Sequence, residues 1–492
     1  MQFTDQICAI LVAICATIPV AILGLLLGRA YRGGQRVRII VYGLTFIHET
    51  ALVALPGWYS CLTAFQLEAA IGVTPEQLVT VYGGEALFVT LFGLVLLLAG
   101  KRPRAQRQEL NQSRSLSERY VLYGLVGSAA VLYVGRLFSP VFTAQDVATN
   151  YQIVAQTSLW DSAISWAITL IQWPGLVAAA LLAADKLTPR AMRLLGAAVL
   201  VGQLIYAMLH GYRGGVVWAV SMIVIGGFYQ NRKRFLIAAG GLTLFLVPLF
   251  PWLHSTMRYA SLAAPAGTSR IEMIPFLISG ITDPNTLTGG KDTDESFLYS
   301  WANRAEGPRN STALYALYDQ GDGAFYKPIL GAVILPVPRM WWVDKPVAGS
   351  TDTTNLGAAI YRVQQGKPGN AFYDMGPILS SAHAYWEGGW LWLVAAPLLS
   401  AWMWRWLLAW GERAGQRLVD VIVLTFLTAL PIDGFFGAIN PVFAYVRIFW
   451  ITLLPLGLLT IGLNSLIKKR RLAATRRRAT APWNAAARGV NA

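Results

Sequence analysis

The sequence predicts an all-α polytopic membrane protein with about eleven transmembrane helices and one large irregular, short-helical segment outside the bilayer. Three observations carry this. The 492-residue chain is 55% hydrophobic and only 13% charged, a balance that belongs to membrane-embedded chains. Its apolar residues gather in runs of about twenty, the length a helix needs to cross a ~30 Å hydrocarbon core. Most of its Lys and Arg fall between alternate runs, as the positive-inside rule requires. The formal net charge of +15 therefore reads as a topology signal, and nucleic acid is not an expected partner.

In chain order the apolar runs are 6–28, 38–56, 77–100, 120–139, 162–184, 191–209, 214–229, 235–253, 388–410, 418–439 and 445–466. The run at 214–229 is short, and 418–439 carries Pro431 and Asp433 near one end. A further apolar piece, Ile329 to Val337, is too short to cross and fits a re-entrant or interfacial element. The first residues carry no basic region, so run 6–28 reads as a span and not as a cleavable signal. Cys8, Cys15 and Cys61 are the only cysteines. Without a CxxC or Cys/His cluster they indicate neither a disulfide framework nor a zinc site.

The loops 29–38, 101–119, 185–193, 230–234 and 411–417, with the tail 468–492, hold 26 of the 40 Lys and Arg. Eleven spans place all six on one face, which is then cytoplasmic. The N-terminus is then outside and the C-terminus inside. Four regions follow: a membrane block at 1–253, a large outer segment at 254–387, a second membrane block at 388–466, and a basic cytoplasmic tail at 467–492. The outer segments 57–76 and 140–160 lack Lys and Arg, whereas 254–387 holds ten. An anionic ligand is a reason to keep them there.

Several residues could carry that chemistry. In HGYRGG, His210 to Gly215, Arg213 sits at an outer helix corner before two glycines and a helix N-terminus, a phosphate-cradling combination. Its structural alternative is an interfacial arginine reaching for headgroups. Arg136 and Arg447 lie near the outer ends of apolar helices, with Glu49 and Asp433 as partners for an ion pair or a functional site. In the outer segment, Arg258, Arg304, Arg309, Arg339 and Lys345 are interleaved with aromatics. Arginines grip phosphates bidentately and aromatic faces stack on sugars, although a lid with solvated charges has the same composition. Ser311 is an N-cap candidate for a helix that follows it. His383 and Glu387, at i,i+4 spacing, share a helix face where the chain re-enters the membrane, and either can act as a base. No third ligand accompanies them, so no metal is expected, and without a GxxxxGK[ST] loop no nucleotide cofactor is expected either.

The order of HGYRGG, then LPVPRMWWVDKP at 335–346, then SSAHAYWEGGW at 380–390 resembles the Wzy-type oligosaccharide repeat-unit polymerases of O-antigen and exopolysaccharide synthesis. The resemblance covers the span layout and about a hundred residues of motif. It implies a bundle related to the GT-C glycosyltransferases. It also implies an undecaprenyl-diphosphate-linked glycan as donor, a lipid-linked repeat unit as acceptor, and a chain-length regulator protein as a further partner. It assigns diphosphate binding to Arg213, beside Gly214, and to Arg339, and assigns the re-entry motif to His383, Tyr385 and Glu387. Many relatives carry a carboxylate where this chain has His383, so the base is His383 or Glu387. The competing readings are an O-antigen ligase, which passes glycan to a lipid A-core, and a glycan or organic-anion transporter or flippase.

The orientation makes a direct prediction. An alkaline phosphatase fusion after residue 150 should be active and one after residue 110 inactive, and the reverse pattern would invert the topology.

Overall fold

The structure is a computed structural model. It describes residues 3–66, 73–98, 116–138, 159–210, 213–234, 236–242, 272, 274–282, 307–321, 378–414 and 417–432, with 458, 462 and 465. These residues are all-helical with no strand, as expected where lipid cannot satisfy exposed backbone groups. Among the described residues five helices are long and apolar enough to cross a membrane: Thr4–Arg32, Arg36–Leu62, Pro75–Leu98, Arg190–Ala207 and Ser380–Glu412. Shorter apolar helices cover Ile171–Ala184, Trp218–Tyr229 and Leu418–Thr428. All eight overlay runs predicted to span. Of the last predicted run, 445–466, only three positions fall among the described residues, and Ile329 to Val337 lies outside them.

Helix α1, Phe3–Arg32, leads into α2, Arg36–Glu49. The chain then makes a π-helical turn, Thr50–Ala54, before α3, Leu55–Leu62. Pro56 at the start of α3 removes one backbone donor at this irregularity, and such π segments often mark functional positions. Helix α4, Pro75–Leu98, opens on a reciprocal cap. The Thr74 N–H donates to Gln77 Oε1 at 2.9 Å, and the Gln77 N–H donates to Thr74 Oγ1 at 3.3 Å, which satisfies two donors that a helix start leaves orphaned. Helix α4 packs between α1 and the later helix α11, Ser380–Ala414.

The rest of the bundle is α5, Leu116–Phe138, α6, Leu159–Ala184, α7, Arg190–His210, α8, Arg213–Tyr229, and α12, Arg417–Ile432. Helix α6 contacts α5, α7, α8 and α12. Its Ala178, Ala179 and Ala180 are fully buried, so neighbouring backbones approach closely. Such van der Waals packing replaces the hydrophobic drive that lipid removes. Trp173 of α6 stacks on Trp218 of α8 with centroids 4.0 Å apart. Phe92 of α4 meets Trp404 of α11 edge to face at 5.0 Å. Helix α9, Ile274–Thr282, and helix α10, Gly307–Asp319, come from the segment expected to stand outside.

One end of the bundle is tied by polar contacts between the expected cytoplasmic loops. Arg38 and Glu412 form an ion pair at 2.8 Å. Arg36 Nη1 donates to the Tyr229 carbonyl at 2.9 Å, and the Leu418 N–H donates to Glu118 Oε1 at 3.1 Å. Tyr229 also bonds Asp420, and Arg29 bonds the Leu97 carbonyl. The loops that the charge pattern assigned to one face thus meet in space.

Helix α11 starts at Ser380, earlier than the predicted span at 388–410. It is broken at Gly388 and Gly389, where Gly389 takes φ +63 and ψ −154, a conformation open essentially only to glycine. A Cβ there would collide with the Tyr318 phenol, and one on Gly388 would lie 2.7 Å from Trp392 Cβ. The segment 380–387 is therefore a separate short helix, buried in the bundle against α4 and α10. The expected Ser311 cap is also corrected. Helix α10 begins at Gly307, so Ser311 sits inside it and donates back to the Gly307 carbonyl at 2.6 Å. A Gly389→Ala variant should lose about 1–3 kcal/mol of stability, read as a lower unfolding temperature in detergent, while Gly240→Ala, with open space at its Cβ, should not.

Candidate functional site

The short helix 380–387 at the head of α11 gathers the predicted re-entry residues. His383 and Glu387 are both buried, with His383 Nδ1 3.0 Å from Glu387 Oε1. Across the helix break, Trp392 donates its indole N–H to Glu387 Oε2 at 2.6 Å. The carboxylate thus stands beside the imidazole on one side and is held by the indole on the other. A buried charge is tolerated only when paired in this way. Trp386 packs edge-on to His383 at 5.6 Å. The expected sharing of a face by His383 and Glu387 is correct. Their placement is deeper than a surface corner, because 380–387 packs inside the bundle.

Tyr385 is positioned by α10. It stacks on Tyr315 at 4.3 Å, meets Tyr318 at 4.9 Å and Trp390 at 5.3 Å, and donates to Asp319 Oδ1 at 2.9 Å. Burial pushes the Tyr315 phenol up from the ordinary tyrosine value, so it stays protonated. Helix α10 also holds the entry to α11, because Ser311 Oγ accepts the Leu379 N–H at 3.0 Å. These contacts fix the head of α11 against α10.

The N-terminus of 380–387 points at a residue that sequence reasoning missed. The Ser381 N–H donates to Glu85 Oε2 at 2.9 Å, and a helix N-terminus favours a carboxylate. Glu85 is ten residues in from Pro75, about 15 Å along the axis at ~1.5 Å per residue, so it sits near the middle of its span. The signal was present. An ionisable residue in the middle of an apolar run is a functional-site candidate by default. Glu49, expected with Asp433 as a partner for Arg136 and Arg447, lies 3.4 Å from His48 Nδ1.

The remaining candidates are placed by backbone or lie elsewhere. His210 ends α7 and Arg213 begins α8, so the expected helix corner exists. Arg136 lies two residues before the end of α5, and Arg309 lies in the first turn of α10. Arg258, Arg304, Arg339, Lys345 and Arg447 lie outside the described residues. The structure therefore pairs His383 with Glu387, turns Tyr385 of the same short helix toward α10, and leaves the convergence of the arginines on them as an expectation. Among the described residues no group of three or more His, Cys, Asp or Glu could hold a metal ion.

Replacing Ser311 with Ala strips the buried Leu379 N–H of its acceptor and should cost about 1–3 kcal/mol. Thermal unfolding in detergent tests this, and an unchanged midpoint would mean that α10 does not hold the head of α11. Compared with family models, with characterised proteins and with solved structures, the chain matches none.

Proposed function

We propose that this protein polymerises undecaprenyl-diphosphate-linked oligosaccharide repeat units at the periplasmic face of a bacterial inner membrane, within a GT-C-like bundle of about eleven spans. The observation that carries the reading is the buried His383–Glu387 pair, braced by Trp392 where the long arginine-bearing segment rejoins the bundle. In this mechanism an acceptor hydroxyl attacks the anomeric carbon of the lipid-linked glycan. His383, oriented through Nδ1 by Glu387, takes the hydroxyl proton on Nε2. The bond from the anomeric carbon to diphosphate oxygen breaks, and the lipid diphosphate leaves with the electron pair. Fixed cations stabilise that developing charge without a metal. Arg213 and Arg339 are assigned this role by the family resemblance, with His210, Arg136, Arg258, Arg304, Arg309, Lys345 and Arg447 as further contacts. Tyr385 lends an aromatic face to the glycan.

A second reading, a transporter for a glycan or organic anion, is favoured by one observation. A helix broken at Gly388–Gly389, with its short N-terminal half aimed at a mid-span carboxylate, is the geometry of many transport sites. Reconstitution with lipid-linked repeat units separates the two. Polymerisation gives a ladder of lengthening chains, and transport moves the units without lengthening them. In that assay His383→Ala and Arg213→Ala should each lower polymer by at least about a hundredfold, with membrane insertion unchanged. Polymer persisting at the wild-type level in both variants refutes the site assignment.

A further inference from the structure

We propose that the exposed stripe of α11 binds one anionic phospholipid, its phosphate held by Arg405 and flanked by Trp402 and Trp406. The site is independent of the glycan chemistry proposed above. Beyond the break at Gly388 and Gly389, α11 has two unlike faces. One is buried in the bundle through Leu393, Ala396, Trp404, Leu407 and Leu408. The other is exposed along its length through Leu391, Val394, Leu398, Leu399, Trp402 and Trp406. Their spacing of three and four residues is that of a single helix face, and on a helix of membrane-crossing length that face meets lipid. Arg405, three residues after Trp402, falls on the same stripe and is exposed with it. It is the only charged residue between Leu391 and Trp410.

An arginine facing lipid is costly unless it reaches a partner. Arg405 makes no hydrogen bond or ion pair among the described residues. The nearest acid along this face, Glu412, stands two turns on and is held by Arg38 at 2.8 Å. Arg405 lies seven residues before Glu412, about 10 Å inside the polar-tied end of the bundle at ~1.5 Å per residue. From that depth a long side chain can meet headgroup phosphates. A guanidinium takes two phosphate oxygens at once, and tryptophans favour the same level of the bilayer. Trp406 also stacks on Trp410 at 6.0 Å, which stiffens the ridge. Eleven residues separate Val394 from Arg405, about 16 Å of apolar stripe at the same rise. That matches the ~15 Å of hydrocarbon in one leaflet, so the stripe suits acyl chains below a phosphate. An unpaired positive charge prefers an anionic head to a zwitterionic one, whose own cation opposes it. A second copy of the chain fits less well, because two-fold pairing of parallel stripes sets Arg405 against Arg405 in a low dielectric.

The test is native mass spectrometry of the purified full-length protein, titrated in detergent with phosphatidylglycerol or phosphatidylcholine. The wild type should hold one phosphatidylglycerol at least about tenfold more tightly than phosphatidylcholine. Arg405→Gln should abolish that preference. Arg32→Gln, which removes the exposed arginine that ends α1, should leave it intact. Equal affinity for the two lipids in the wild type, or an unchanged preference in Arg405→Gln, overturns the proposal. Wild-type chains that pair through this stripe, seen as a dimer that Trp402→Arg dissolves, overturn it as well. Should Arg405→Gln fail to fold, Trp402→Leu decides it, because that variant keeps the charge and removes the indole. Phosphatidylglycerol should then bind several-fold more weakly, and an unchanged affinity overturns the site.

Discussion

The hydrogen bond from the Ser381 amide to Glu85 anchors the architecture around the candidate site. In an apolar bundle neither group has water to turn to, so each is costly alone and tolerable together. Their union sets how deep the head of α11 enters the bundle. Everything downstream in space follows from that depth: the stacking of Tyr385 on Tyr315, the support of Leu379 by Ser311, and the burial of His383 and Glu387. Helix α4 is the fixed member, pinned between α1 and α11 and started by its own reciprocal cap. Helix α10 is the brace that closes the third side.

Helix positions were largely legible in the sequence because lipid imposes a simple rule. A run of about twenty apolar residues has few alternatives to a helix, and the charge pattern between runs named the end where Arg38 pairs with Glu412 and Glu118 accepts the Leu418 N–H. What escaped was anything decided by packing rather than hydropathy. Helix α10 is only moderately apolar, and its burial depends on Ala313, Leu314, Tyr315 and Leu317 fitting against α4 and α11. The charges and prolines of 254–387 did not reveal that face. Ser311 resembled a cap because serine often is one. Its hydroxyl instead serves the chain entering α11, a partner 68 residues away that no local pattern reveals.

The candidate site was legible in part for the same reason. The i,i+4 spacing of His383 and Glu387 is a local property, and the pair forms as read. The indole that completes it comes from Trp392, beyond a double-glycine break whose direction a sequence does not encode. Glu85 needed only the observation that a charge stood in the middle of a span, but its meaning comes from the helix end that faces it.

The break in α11 has one further consequence. Glu387 lies before it and Trp392 after it, so their side-chain hydrogen bond bridges the two helical pieces. The bend angle and the electrostatic setting of the His383–Glu387 pair are then one coordinate. Straightening the helix would withdraw the indole and leave the carboxylate with the imidazole alone. The shape of the helix is in this sense a dial on the surroundings of the pair, and any force that bends α11, including lateral pressure from the surrounding lipid, reaches His383 and Glu387 through that tryptophan.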